Sequence, residues 1–262
     1  MATELMIVGG GKMGEALAAG LMNAGWAEPT GITVVEPIKE RREELGKTYG
    51  LRVIPSPEKA SDVLVAVKPN QIQTVCELLS PIPPTRLISI AAGVTTSTLE
   101  NLLLPETRVV RVMPNTPAMI NEGMSVLSAG TYASPDDIEW ATSIFAAVGK
   151  TTVIEEKLMD AVTGVSGSGP AYLFALAEAM TNAGLNEGLD DENADLLVRQ
   201  TLLGAAILLA GSKESPMELR EAVTSPNGTT AAALSIFEDR AFQDLIIDAI
   251  SAATDRAGEL GS

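Results

Sequence analysis

Three glycines and a few hydroxyl side chains carry most of the chemistry this sequence offers. Gly9, Gly11 and Gly14 fall in the spacing G-x-G-x-x-G within Leu5-Met6-Ile7-Val8-Gly9-Gly10-Gly11-Lys12-Met13-Gly14, an apolar run that breaks into glycine and passes into a helix-like pattern. Such a stretch suits a dinucleotide. Gly9 permits the tight turn, Gly11 leaves the backbone bare toward a pyrophosphate, and Gly14 lets the helix lie close on the strand, so that N–H groups and the helix dipole meet the phosphates. Two later stretches, Ser166-Gly167-Ser168-Gly169-Pro170 and Gly228-Thr229-Thr230, combine hydroxyls with glycine just before helical patterns. Free N–H groups there would suit a substrate carboxylate, and a hydroxyl could steady a polar substrate atom or simply cap the helix.

The elements that must position these groups alternate. Ile32 to Val35 reads as a second strand, followed by a charged helix Lys39 to Tyr49 closed by Gly50, and Leu51 to Ile54 as a short third strand. Asp62 to Val67 is a continuous apolar run that stops at Lys68-Pro69, and the design recurs at Leu87 to Gly93 and Arg108 to Pro114. Continuous apolar runs suit strands buried on both faces, and this rhythm predicts an open, mostly parallel sheet with right-handed crossovers. A ligand would lie along its C-terminal strand edge, where Gly11, Lys68, Ala92 and Asn115 fall. Lys68-Pro69, Ala91-Ala92-Gly93-Val94 and Met113-Pro114-Asn115-Thr116-Pro117 are each what an ordinary strand end looks like; their coincidence on one edge favours a site beside a nicotinamide. Glu36, at the end of the second strand, could accept hydrogen bonds from a ribose diol and favour NADH, while Arg41 and Arg42 could reach a 2′-phosphate or form a solvated helix face.

From about Asp160 the texture changes to helical patterns rich in Ala and Leu, with no strand-like run. The expected division is a dinucleotide-binding domain over 1–157 and a helical domain over 158–262. Thr201 to Ala210 is apolar on nearly every face, so it must be surrounded; two such segments burying each other in a dimer is one solution, a well-filled monomeric bundle the other.

Composition narrows the function. The formal charge of −16 opposes binding to nucleic acid or an anionic membrane surface. With no histidine and a single cysteine, Cys76, an internal disulfide and the commoner zinc and acid-base designs are unavailable, and no metal is expected. No leader is evident before the first strand and the apolar run is too short to span a bilayer, so a cytoplasmic protein is expected. β-Hydroxyacid dehydrogenases of the 6-phosphogluconate type carry G-x-x-G-x-G-x-x-x-K at a similar place. Gly164, Gly167 and Gly169 match, but Leu173 stands at the lysine. The acid-base catalyst of alcohol oxidation is therefore missing. Reduction of a protonated imine needs none, because the C=N carbon is already electrophilic and only orientation is required.

These blocks, together with Ala66-Val67-Lys68-Pro69, Ser89-Ile90-Ala91-Ala92-Gly93-Val94 and Val223-Thr224-Ser225-Pro226-Asn227-Gly228-Thr229-Thr230, resemble pyrroline-5-carboxylate reductase in order and over the whole chain. The resemblance implies a Rossmann-like domain and an all-helical dimerisation domain. It also implies reduction of 1-pyrroline-5-carboxylate to L-proline with NADPH or NADH, and an interlocked homodimer that in the family often builds decamers. By matching positions it implies Gly11, Lys12 and Met13 at the pyrophosphate, and Ser56, Val67, Lys68, Pro69 and Ala92 elsewhere around the cofactor. Glu156, Ser166 to Gly169, Gly228 and Thr229 would lie around the substrate, with Thr230 hydrogen-bonding its ring nitrogen. Asn227 stands where the family more often has glycine, and Glu36 where several NADPH-preferring members have Ser or Thr. A reductase of another cyclic imine such as piperideine carboxylate, or a silent dinucleotide sensor, are the alternatives.

Overall fold

A computed structural model describes residues 5–261, and the chain falls into two compact units. One runs up to Ser168 and takes in the residues from Ser251 on; the other is Gly169–Ile250.

The first unit is built on an eight-stranded sheet in the order β3-β2-β1-β4-β5-β6-β7-β8. The expected strands are Leu5–Val8 (β1), Ile32–Val35 (β2), Arg52–Ile54 (β3), Asp62–Val65 (β4), Arg86–Ser89 (β5) and Arg108–Met113 (β6), all parallel. The two-residue period of a strand sends Leu5 and Ile7 into one apolar layer with Leu17, Leu64 and Phe145. Met6 and Val8 go into the other with Val63, Val65 and Leu87. Both faces are thus covered, which is why these strands read as unbroken apolar runs. The layers come from Lys12–Asn23 (α1), Lys39–Tyr49 (α2), Ile72–Leu79 (α3), Thr96–Leu102 (α4) and Pro135–Ala146 (α5). Gly50 ends α2 at φ 68, a left-handed C-cap that glycine adopts without strain. Ser134 and Asp137 form a reciprocal capping box at the start of α5, with Pro135 in its first turn.

Two strands, Gly123–Ala129 (β7) and Gly149–Val153 (β8), extend the sheet beyond the expected set. β7 runs antiparallel to β6, so the sheet is mostly rather than wholly parallel.

The second unit contains Gly169–Asn186 (α7), Asp191–Gly211 (α8), Pro216–Ala222 (α9), Thr229–Asp239 (α10) and the first part of Phe242–Leu260 (α11); Met159–Val162 (α6) precedes it in the chain. α7 and α8 pack against each other and are joined by a short loop, and Phe237 stacks on Phe242 with ring centroids 5.0 Å apart. Ala194 and Val198 are the buried apolar residues of this unit among those described, whereas Phe174, Leu196 and Ile207 are more than 60% exposed. α8 is long and apolar enough to cross a membrane by length and composition, unlike the shorter run read from sequence.

Candidate active site

The parallel strands end nearly in line. Val8 lies opposite Val35 and Val65, Val65 opposite Ser89, and Ser89 opposite Arg111. The loops that follow therefore emerge along one edge. They bring together Gly9 to Gly14 after β1, Glu36 after β2, Ser56 after β3, Val67-Lys68-Pro69 after β4, Ala92 after β5 and Asn115 after β6. β1 sits between β2 and β4, so the chain leaves it in both directions and opens a crevice at this point.

The glycine loop fits a dinucleotide by steric subtraction. Gly9 adopts φ 116, and a Cβ there would press on the Ala66 carbonyl; a Cβ on Gly14 would collide with the Gly9 carbonyl. Only glycine permits this approach of α1 to β1. Around Gly11 a Cβ would meet nothing within 4 Å, so the space beside the N-cap of α1 is open to a phosphate, with exposed Lys12 next to it.

Glu36 is only 8% exposed. Its carboxylate accepts from the backbone N–H of Gly10 at 3.2 Å and of Ile38 at 2.9 Å. The arginines considered for a phosphate have protein partners instead. Arg41 donates to the Gly10 carbonyl at 3.0 Å and pairs with Glu15 and Glu44, which raise its pKa further. Arg42 donates to the carbonyls of Glu36 and Pro37. Glu15 in turn accepts from the Tyr49 hydroxyl at 3.0 Å, and α2 is tied to the loop.

Farther along the edge two ligand candidates already serve the protein. Glu156 accepts from the Thr96 N–H and hydroxyl, both at 2.6 Å, and pairs with Arg111 at 3.4 Å; Arg111 also reaches Asp160 at 3.1 Å. Arg111 is 4% exposed and was assigned no role from sequence, although a charged residue within Val109-Val110-Arg111-Val112 is its signal. Asn115 accepts from the Met124 N–H at 2.8 Å and donates to the Ser166 carbonyl at 3.3 Å. The loop at Ala92 is closed by the tail of α11: a Cβ on Gly93 would press on the Ala257 carbonyl, and one on Gly261 would collide with the Gly93 carbonyl.

The glycine-rich stretch around Ser166 corrects the sequence reading. It is not a loop before a helix; α6 continues through a π-helical segment, Thr163–Gly167, and α7 begins at Gly169. The Ser168 N–H donates to the Thr163 carbonyl at 2.8 Å, so it is spent within the helical run rather than held for an anion. Gly167 packs against the Met113 methyl, the flexible end of a side chain that a Cβ would have to displace.

In the helical unit, Gly228 is the N-cap of α10 and no side chain caps that helix, so Thr229 and Thr230 are its first residues rather than its caps. The preceding turn is closed by the Gly228 N–H to the Ser225 carbonyl at 3.0 Å, with Asn227 at φ 58 in the left-handed region that Asn tolerates. Thr230 is half-buried and Thr229 exposed.

Comparison with known proteins agrees with these motifs. The family described as pyrroline-5-carboxylate reductase dimerisation matches residues 156–260, and the family described as NADP oxidoreductase coenzyme F420-dependent matches residues 4–93. A pyrroline-5-carboxylate reductase of Synechocystis sp. is 41% identical over 100% of this chain and 99% of its own. A pyrroline-5-carboxylate reductase structure from Coxiella burnetii is 35% identical with TM-score 0.90 over 100% of both chains. The Plasmodium falciparum pyrroline carboxylate reductase, solved with NADP bound, is 30% identical with TM-score 0.88 over 99% of this chain and 98% of that one. On the strength of full-length identity, shared fold and a matching dimerisation family, the chain belongs to the pyrroline-5-carboxylate reductases.

Proposed function

We propose that the protein reduces 1-pyrroline-5-carboxylate to L-proline, the final step of proline biosynthesis, with hydride from NADPH or NADH. The observation that carries this reading is the state of the acids along the strand edge: Glu36 and Glu156 are both held by protein donors, beside a glycine loop open at Gly11. An edge so arranged suits a dinucleotide, while Leu173 stands where the 6-phosphogluconate-type dehydrogenases place the acid-base group of alcohol oxidation. A protonated cyclic imine needs no such group: hydride adds to the C=N carbon and the nitrogen keeps its proton, giving the secondary amine.

In this scheme Gly9, Gly11, Lys12, Met13 and Gly14 hold the pyrophosphate, with Ser56, Val67, Lys68, Pro69, Ala92 and Asn115 around the rest of the coenzyme. Ser166 to Gly169, with Gly228 and Thr229, contact the substrate, and Glu156 acts by holding its neighbours. The Thr230 hydroxyl hydrogen-bonds the ring nitrogen. Residues 1–157 serve the coenzyme, and 158–262 serve substrate and dimerisation. The subunits form an interlocked homodimer that can build decamers, in the cytoplasm. α8 meets partner helices rather than lipid, a reading supported by its place inside the matched dimerisation family and by the Asp195–Arg199 pair on its surface.

The test is loss of reduced-coenzyme absorbance when enzyme meets pyrroline-5-carboxylate, with proline appearing in equal amount. No substrate-dependent loss with either coenzyme overturns the proposal, and faster turnover of the six-membered piperideine carboxylate reassigns the substrate. Thr230→Ala is expected to lower kcat by about 100-fold with coenzyme binding unchanged. Equal loss of both would make Thr230 structural.

A further inference from the structure

We propose that Glu36 makes this reductase prefer NADH, its carboxylate receiving the adenosine ribose diol and turning away the 2′-phosphate that distinguishes NADPH. The inference rests on the reading above and names which of its two coenzymes the chain selects.

Glu36 follows the last residue of β2, where a bound dinucleotide places its adenosine ribose. The carboxylate is not free to swing aside when a ligand arrives. Each oxygen already accepts one backbone N–H, from Gly10 and from Ile38, and the residue is 8% exposed. A carboxylate offers about four acceptor directions, so two remain for hydroxyl donors. A ribose diol supplies two such donors. A phosphate monoester supplies negative charge of −1.5 to −2 at neutral pH, roughly, and no donor that the ionised acid could use.

NADPH-binding sites of this fold answer that charge with a nearby cation. Here the two nearby arginines already donate to protein acceptors. Arg41 donates from Nε to the Gly10 carbonyl, from Nη2 to Glu15 and from Nη1 to Glu44. Arg42 donates to the carbonyls of Glu36 and Pro37, which turns its guanidinium toward the strand end that carries the acid. Lys39 lies 3.7 Å from Glu43, with both side chains well exposed. Recruiting Arg41 to a phosphate would release Glu15 and the Gly10 carbonyl and so loosen the loop that holds the pyrophosphate.

Isothermal titration of the full-length protein with each reduced coenzyme, without substrate, reads the preference directly. NADH is expected to bind about tenfold or more tightly than NADPH, as like charges brought together are costly. Glu36→Gln keeps an acceptor but removes the charge, and is expected to close most of that gap by improving NADPH. Arg42→Ala is expected to leave the ratio unchanged. NADPH binding as tightly as NADH in the parent protein overturns the inference, and so does a selective loss of NADPH in Arg42→Ala. If Glu36→Gln weakens both coenzymes alike, Glu36 is only a brace for the glycine loop and the inference fails. Imine turnover that is faster with NADPH defeats the preference and leaves the reductase reading intact; tight NADH binding without imine turnover does the reverse.

Discussion

Along β1 and β4 every residue is buried, the apolar side chains alternating between two layers of the same unit, whereas α8 keeps Leu196, Leu203, Ile207 and Leu208 exposed along its length. Both segments are strongly apolar in sequence. The difference lies in what surrounds them: the sheet has helices of its own chain on both faces, while among the described residues of the helical unit the extensive helix packing is that of α7 with α8. An apolar patch of that extent marks an interaction surface, and it lies within residues 156–260, which match the family described as pyrroline-5-carboxylate reductase dimerisation. Exposed apolar residues therefore run along one helix as an interaction surface in one unit and lie scattered as ordinary surface in the other.

The sharpest way to break this comparison is to place a charge on each kind of exposed apolar residue. Ile207→Asp on α8 is expected to cost about 3 kcal/mol or more of association energy by burying an unpaired charge, and to yield monomers in sedimentation velocity. Leu78→Asp, on the 48% exposed surface of α3 in the sheet unit, is expected to leave the oligomer intact. The opposite pattern would move the interface to the sheet unit.

Within the sheet unit, Arg111→Met should lower stability by roughly 2 kcal/mol in denaturant titration, because Glu156 and Asp160 then lose their buried cation. That value is below the range for a fully buried pair because both acids retain some solvent exposure. A loss under about 0.5 kcal/mol would put Arg111 among ordinary surface pairs. Cys76 offers a smaller contrast. Burial, aided by Glu77, pushes its thiol up to about 11, so alkylation of the folded protein should run at least roughly 100-fold slower than that of a free cysteine. Rapid labelling would show that α3 opens readily.

The smallest effect belongs to the helical unit's caps. Asp190 is held below the usual carboxylate range by the backbone N–H of Asn193 and its side chain, and Glu218 by the backbone and hydroxyl of Ser215. A depressed carboxylate stabilises the fold above its unfolded pKa and loses that contribution as pH falls through the folded value. The stability difference between the parent and Asp190→Ala should thus be present at neutral pH and shrink below about pH 4. A difference that persists in acid would assign it to packing.

The sheet was legible wherever burial on two faces forces an unbroken apolar run, as at Ile32–Val35 and Arg108–Met113, and α2 was legible to the residue because Gly50 punctuates it. β7 and β8 were not, since Gly123, Ser125 and Ser128 dilute one and Lys150, Thr151 and Thr152 the other; their pairing with neighbours makes them strands. The π-helical turn escaped notice for a related reason. Gly164 and Gly167 look like a break in one dimension, but the backbone carries a helical run through both of them. Glu156 was placed in the site by resemblance, while its actual holders, Thr96 and Arg111, stand 60 and 45 residues away in sequence. No local pattern announces a contact of that range.

Where Gly93 meets Gly261, main chain touches main chain with no side chain to act as a cushion. A single added methyl at either position has nowhere to fold away, so the displacement passes undamped into the Ala92 segment. The seam between the last helix and that segment is thus set by two missing carbon atoms.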